Sequence, residues 1–313
     1  MMTYRTLLRI KVMQLLYAFE SKNDKMLSVS ENELIKSIQK TTDLYFHLLN
    51  LSVFITKYAE DCIEIAKNKF RPTQEELNPN MKFVNNLFVK QLLANIEFLE
   101  NIKSLSASWN DNPEVIKSIY SEIQQSDFYI EYMSSSENDF KEDKMLWRNI
   151  FEKIIANNVL LDEALEDQCI YWNDDLELAL SFVVKTTKQM QEETISESLL
   201  PKISREEDIV FAKELFSDVI LNKNDYRDLI SRLSQHWDPE RIAFMDILIM
   251  LIALSELVKF PTIPINVTIN EYIEISKMYS TEKSHMFING ILDKAVAILK
   301  SEKKILKVES VKI

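Results

Sequence analysis

Glycine is almost absent: Gly290 is the single glycine in 313 residues. Ordinary usage is about 7%, so this chain has given up nearly every position where the backbone turns through positive φ. Phosphate-cradling loops, both the P-loop and the dinucleotide fingerprint, need several glycines each and are ruled out. The same shortage argues against a sheet-rich fold with tight hairpins. Cysteine is scarce too. Cys62 and Cys169 stand far apart with no CxxC between them, which argues against a disulfide framework or a structural zinc site. Both read as small buried hydrophobes in a reducing, cytoplasmic compartment. The three histidines, His47, His236 and His285, have no second His or Cys at ligand spacing, so no metal or cofactor is expected. Long hydrophobic runs are missing as well. The longest, Ile242 to Leu254, is interrupted by Asp246 and falls short of the roughly 20 residues a bilayer span needs. Arg5 and Arg9 interrupt the first residues, and no export signal is expected there.

What remains is a soluble, globular composition, with 46% hydrophobic and 27% charged residues, and an all-α fold. Leu8, Val12, Leu15, Leu16 and Phe19 recur at helical spacing and make one face of a first helix. Such a stripe needs a partner. Asp238-Pro239 is a helix-start signal, and Arg241 to Val258 then carries only Asp246, Ser255 and Glu256 as polar interruptions after its opening arginine. A helix apolar nearly all round belongs in the middle of a bundle, so the first helix is expected to pack against it. Further helices are expected over Ile209–Leu221, Tyr226–Leu233, Val267–Met278 and from Thr281–Ser284 onward. The last presents Phe287, Ile288, Ile291, Leu292, Ala295 and Leu299. A Lys-rich tail, 301–313, closes the chain.

The middle is helical but acidic. Residues 72–204 carry a formal charge of −13, against +3 for 1–71 and −2 for 205–313. Amphipathic runs such as Leu44–Ile65 and Phe83–Leu99 carry too much apolar surface to stay solvated, while Ser134–Asp139 and Thr194–Ser198 read as loops. A polyanion would be repelled from this part and held by the flanks.

No constellation for catalysis emerges. Carboxylate pairs such as Asp61/Glu64 or Asp174/Asp175 are ordinary on an acidic helix surface, and nothing selects a general acid and base among them. A binding protein, not an enzyme, is the leading class. One face of the last helix stands out: Lys283, Phe287 and Gly290 fall at i, i+4 and i+7, with His285 and Asn289 at its edges. A helical glycine costs about 1 kcal/mol relative to alanine, which suggests close approach of another backbone or a ligand. An aromatic beside a cation and an amide suits stacking on an unpaired base. The same spacing also fits a core phenylalanine with a neighbouring helix over the glycine.

Three runs carry a resemblance. They are Trp237-Asp-Pro-Glu-Arg-Ile-Ala-Phe-Met-Asp246 through Glu256-Leu257, Ile263-Pro264-Ile-Asn-Val-Thr-Ile-Asn270-Glu271, and Ser280-Thr-Glu-Lys-Ser-His-Met-Phe287-Ile-Asn289-Gly290-Ile-Leu-Asp293. In order and spacing, across about sixty residues, they resemble the transcription antitermination factor NusB family. Arg9 to Glu20 resembles that family's first helix and Glu207 to Phe216 its third. The resemblance implies a NusB-like double helical bundle built from 1–24 and 205–300, with 25–204 as an additional acidic helical insertion.

The resemblance also implies a function: binding single-stranded boxA-like RNA of ribosomal RNA operons together with the ribosomal protein NusE, within the transcription elongation complex. It places RNA contacts at Arg5, Arg9, Tyr17, Lys283, Phe287 and Asn289, and a partner contact at Glu240 and Asp246. The alternative is a protein–protein module of the same fold, docking through its acidic insertion with RNA binding weak or lost.

Overall fold

The computed structural model describes residues 3–22, 26–192, 206–235 and 242–305. It is all-α. Among the described residues there is no strand, and Lys303 alone has positive φ. The helices are α1 (Tyr4–Ser21), α2 (Leu27–Lys67), α3 (Gln74–Leu77), α4 (Leu87–Ala94), α5 (Ile96–Ser104), α6 (Pro113–Gln125), α7 (Asp127–Ser134) and α8 (Phe140–Asn149). They continue with α9 (Val159–Gln168), α10 (Leu176–Gln189), α11 (Glu206–Leu221), α12 (Lys223–Leu233), α13 (Phe244–Lys259), α14 (Ile265–Tyr279) and α15 (Ser284–Ser301). The chain divides into two compact units. Met1–Ile38 with Ser204–Ile313 form one, and Gln39–Ile203 the other.

In the terminal unit, α13 is the centre and packs against α1, α11, α12, α14 and α15. Leu248 through Leu257 are buried without a break, because neighbours cover every side of the helix. Each fully buried Leu or Ile contributes about 1.5–3 kcal/mol. The α1 stripe, Leu8, Val12, Leu15, Leu16 and Phe19, joins the same core, as do Phe216 and Leu292. Thr3 caps α1 by accepting the Thr6 amide at 3.1 Å. After α13 the chain turns through Pro261, and Pro264 precedes α14, where a missing N–H costs nothing. The start of α13 differs from the sequence expectation. Ala243 is extended and helix begins at Phe244, while Asp238 and Pro239 lie outside the described residues.

The middle unit has its own aromatic core. Trp147 is fully buried against Phe83, Phe88 and Phe151. His47 lies flat against Trp109, centroids 4.1 Å apart and planes 11° from parallel, with Trp172 at 5.2 Å. The run Phe83–Leu99 is two helices and not one. Asn95 adopts extended backbone, ends α4, and caps α5 by accepting the Phe98 amide at 2.9 Å. An asparagine in a helical pattern competes for the backbone in this way.

Candidate functional site

The polar centre of the terminal unit is built on Glu256, a fully buried carboxylate near the C-terminal end of α13. Arg9 donates to it twice, Nε to Oε2 at 2.7 Å and Nη2 to Oε1 at 2.9 Å. Thr268 Oγ1 donates to Oε1 at 2.9 Å and the Tyr272 hydroxyl to Oε2 at 3.0 Å, so four donors saturate it. Arg9 Nη1 also reaches Glu271 Oε2 at 3.2 Å, which accepts Thr6 Oγ1 at 2.7 Å. Burial acts to lower the Arg9 pKa, but the hydrogen bond and charge of Glu256 outweigh it and hold the guanidinium above its ordinary value. Burial, with the Glu256 charge behind it, likewise keeps the Tyr272 hydroxyl protonated. This network corrects one expectation. Arg9 is 2% exposed and its donors are engaged by two carboxylates, so it holds α1 to α13 and α14 and is not free for an RNA phosphate.

Asp246 is corrected on similar grounds. It lies 4% exposed in the first turn of α13 and accepts Ser280 Oγ at 2.5 Å and Ser284 Oγ at 2.9 Å. Thr281 Oγ1 lies 2.7 Å from Ser284 Oγ. Asp246 therefore ties the α14–α15 turn to the start of α13 and offers nothing to a partner surface. Glu240 lies outside the described residues.

Arg9 meets α13 at its C-terminal end, whereas Tyr17 meets Phe244 at its N-terminal end, so α1 and α13 run antiparallel. The Tyr17–Phe244 ring centroids are 5.7 Å apart with planes inclined at 59°, and the two side chains are 47% and 42% exposed. Lys283, exposed, occupies the turn that Asp246 anchors to this same end. Asn289, half-buried on α15, points Nδ2 toward Asp293 Oδ2 at 3.4 Å.

Two further expectations change. Phe287 is 7% exposed and belongs to the core with Ile288 and Ile291, so its ring face is not open to a base. Over Gly290, a Cβ would meet no atom within 4 Å, so no neighbouring helix requires the glycine. Arg5 is half-exposed and stands at the far end of α1, twelve residues and about 18 Å from Tyr17. There it pairs with Asp208 at 3.6 Å and lies over the Phe211 ring at 5.2 Å. Tyr17 thus meets Phe244, which the sequence reading placed in a buried helix, while Lys283 stands beside exposed Glu282 in the turn that Asp246 anchors. No sequence signal marked Phe244, because the start signal at Asp238-Pro239 puts the helix end several residues upstream of it.

Geometry and sequence together define an all-helical protein with a saturated polar centre and a part-exposed aromatic pair at one end of α13. The NusB family model matches residues 173–297. The transcription antitermination protein NusB of Geobacter sp. (strain M21) is 37% identical over 127 residues, 40% of this chain and 85% of that protein. The NusB of Acetivibrio thermocellus is 32% identical over 124 residues, 40% of this chain and 86% of that protein. A solved structure of T. maritima NusB aligns at 32% identity over 39% of this chain and 87% of that one, with a TM-score of 0.30. By sequence, the chain belongs to the NusB family, a family of transcription antitermination proteins. No described helix is long and apolar enough to cross a membrane.

Proposed function

We propose that this protein is an RNA-binding antitermination factor that binds single-stranded, boxA-type RNA of ribosomal RNA operons together with NusE, in the cytoplasm and within the elongation complex. In this reading 1–24 and 205–300 form the RNA- and partner-binding bundle, 25–204 is an acidic helical insertion and 301–313 a Lys-rich tail. The family match begins at residue 173, so its first part lies upstream of the bundle segment. The observation that carries the reading is exposed Tyr17 on α1, packed on α13, with exposed Lys283 in the turn before α15 that Asp246 anchors. Asn289 on α15 supplies an amide, and Arg5 a cation further along α1.

Electrostatics sets the expected strength. The terminal unit carries 21 Lys+Arg against 21 Asp+Glu, for a net charge of zero. Phosphate neutralisation supplies most non-specific affinity, so the protein alone should bind weakly and a basic partner should strengthen binding. Linkage requires that RNA strengthen partner binding by the same factor. Fluorescence anisotropy of a labelled single-stranded RNA, titrated with the full chain with and without NusE over a salt series, tests this. Absence of binding at low salt with the partner present overturns it.

A second reading, a protein–protein module docking through the middle unit, is favoured by one observation. That unit holds 16 Lys+Arg against 28 Asp+Glu, and so the whole net charge of −12. Partner binding that ignores both RNA and the cations at Arg5 and Lys283 would select it.

A further inference from the structure

We infer that the outer face of α9, in the middle unit, is a docking surface for a basic, amphipathic helix of another protein. The inference deepens the second reading above, whose docking surface and partner chemistry it names, and it does not require RNA binding to be lost.

α9 is fixed along its inner side and bare along its outer one. Leu161, Ala164 and Leu165 are buried. Asn158 accepts the Leu161 amide at 2.9 Å and donates to Glu122 Oε1 at 2.7 Å, while Gln168 donates to Asn112 Oδ1 at 2.5 Å. Glu122 lies late in α6 and Asn112 just before it, so α6 and α9 run antiparallel and α9 is pinned at both ends. At roughly 100° per residue, Val159, Glu163 and Glu166 fall opposite the buried seam, flanked by Asp162 and Asp167. All five are exposed, Val159 by 67%. Leu160 is exposed beside it, and Ile170, 78% exposed, stands two residues past the helix.

The charge on this face is out of balance. Asp162–Glu166 and Glu163–Asp167 are like charges at i and i+4, which destabilise a helix. Glu166 and Asp167 also sit at the C-terminal end, where the macrodipole favours cations. No lysine or arginine occurs between Lys153 and Lys185, and none of the four carboxylates has an ion pair among the described residues. Glu64, Glu76 and Glu152 in the same unit each have one. A cationic partner supplies what this helix lacks. Among the described residues no group of three or more His, Cys, Asp or Glu could hold a metal ion, so the partner's charges are spread along the helix. Exposed aliphatic side chains at both ends of the face call for apolar residues on the partner as well. A basic amphipathic helix meets both demands, with cations one turn apart to match Glu163 and Glu166. Complementary charge then steers encounter and fixes register.

The test is fluorescence anisotropy of a labelled synthetic helical peptide, with arginines along one face and a leucine at each end of that face, titrated with the full chain. Glu163→Gln/Glu166→Gln should weaken binding about fivefold and flatten its salt dependence. Its Tm should not fall, because repulsion within α9 is relieved. Val159→Ser/Ile170→Ser should weaken binding and leave the salt slope unchanged. Glu60→Gln/Asp61→Asn removes two exposed carboxylates from α2 and should change nothing. Equal losses in the α9 and α2 carboxylate variants, or equal affinity for an oligolysine of the same charge, would mean that net charge alone attracts the peptide. Either result overturns the inference and leaves docking through the middle unit standing. A lower Tm in Glu163→Gln/Glu166→Gln would make the carboxylates structural and also overturns it. Absence of binding to both peptides by the wild-type at low salt overturns the inference and the second reading together.

Discussion

The Arg9 guanidinium grips the Glu256 carboxylate with two parallel hydrogen bonds, 2.7 and 2.9 Å, across 247 residues of sequence. Their side chains are 2% and 0% exposed. A bidentate pair of this kind is strong because geometry and charge agree, yet its worth lies chiefly in what happens when half of it is missing. A lone buried carboxylate has lost its water and gained nothing in return.

Arg9→Ala should therefore destabilise the terminal unit by about 3–5 kcal/mol, the cost of breaking a buried pair from one side. Urea unfolding checks this, and a loss under about 1 kcal/mol would mean the pair is not structural. Where Arg9→Ala remains folded, its RNA salt slope should match the wild-type, because Arg9 faces carboxylates and not phosphate.

Lys283→Ala should behave in the opposite way. The side chain is exposed and no shift of stability is expected. A lost phosphate contact on a single strand should flatten the slope of log K against log salt by about 0.7. An unchanged slope would remove Lys283 from the interface.

The middle unit should be acid-sensitive through His47. Burial between Trp109 and Trp172 lowers its pKa from 6.5 to about 4. Between those values the unfolded chain binds a proton that the folded chain refuses, so stability falls as pH drops from 6.5 toward 4. The full loss, complete below 4, is about 3 kcal/mol. Comparing urea midpoints at pH 7.5 and 4.5 for the wild-type and His47→Phe checks the sign: the variant should be the less pH-dependent.

Gly290→Ala should stabilise. Its backbone is helical, its φ is ordinary, and a Cβ there meets nothing within 4 Å. The gain should be about 0.5–1 kcal/mol, read as a higher urea midpoint with an unchanged m-value.

Helix periodicity made much of this fold legible. The stripe from Leu8 to Phe19 and the apolar run ending at Leu257 announce one shared core, and α1 does pack on α13. The site was less legible, for two physical reasons. A 3.6-residue period places Phe287 on a face but does not say whether that face is the core or its rim, and its neighbours Ile288 and Ile291 decided for the core. Arg9 looks like a surface cation beside an apolar stripe until its partner is known, and Glu256 lies far beyond any local pattern. Asp246 was open to a better reading, since a carboxylate inside an apolar helix needs donors and Ser280 and Ser284 are at hand. Phe244 was missed because the start signal at Asp238-Pro239 places it inside the helix, whereas α13 begins at Phe244 itself.

The joining of the first helix to one near the end of the chain sets a delay during synthesis. At about 5–20 residues per second, Glu256 is made roughly 10–50 s after Arg9. Throughout that interval the nascent chain carries the apolar face of Leu8, Val12, Leu15 and Leu16 with its principal cover not yet translated. Residues 39–203 emerge in between and fold around their own aromatic core. A ribosome-bound holdase that shields short amphipathic helices would thus meet this protein early and release it late, and slow translation would lengthen its exposure to proteases.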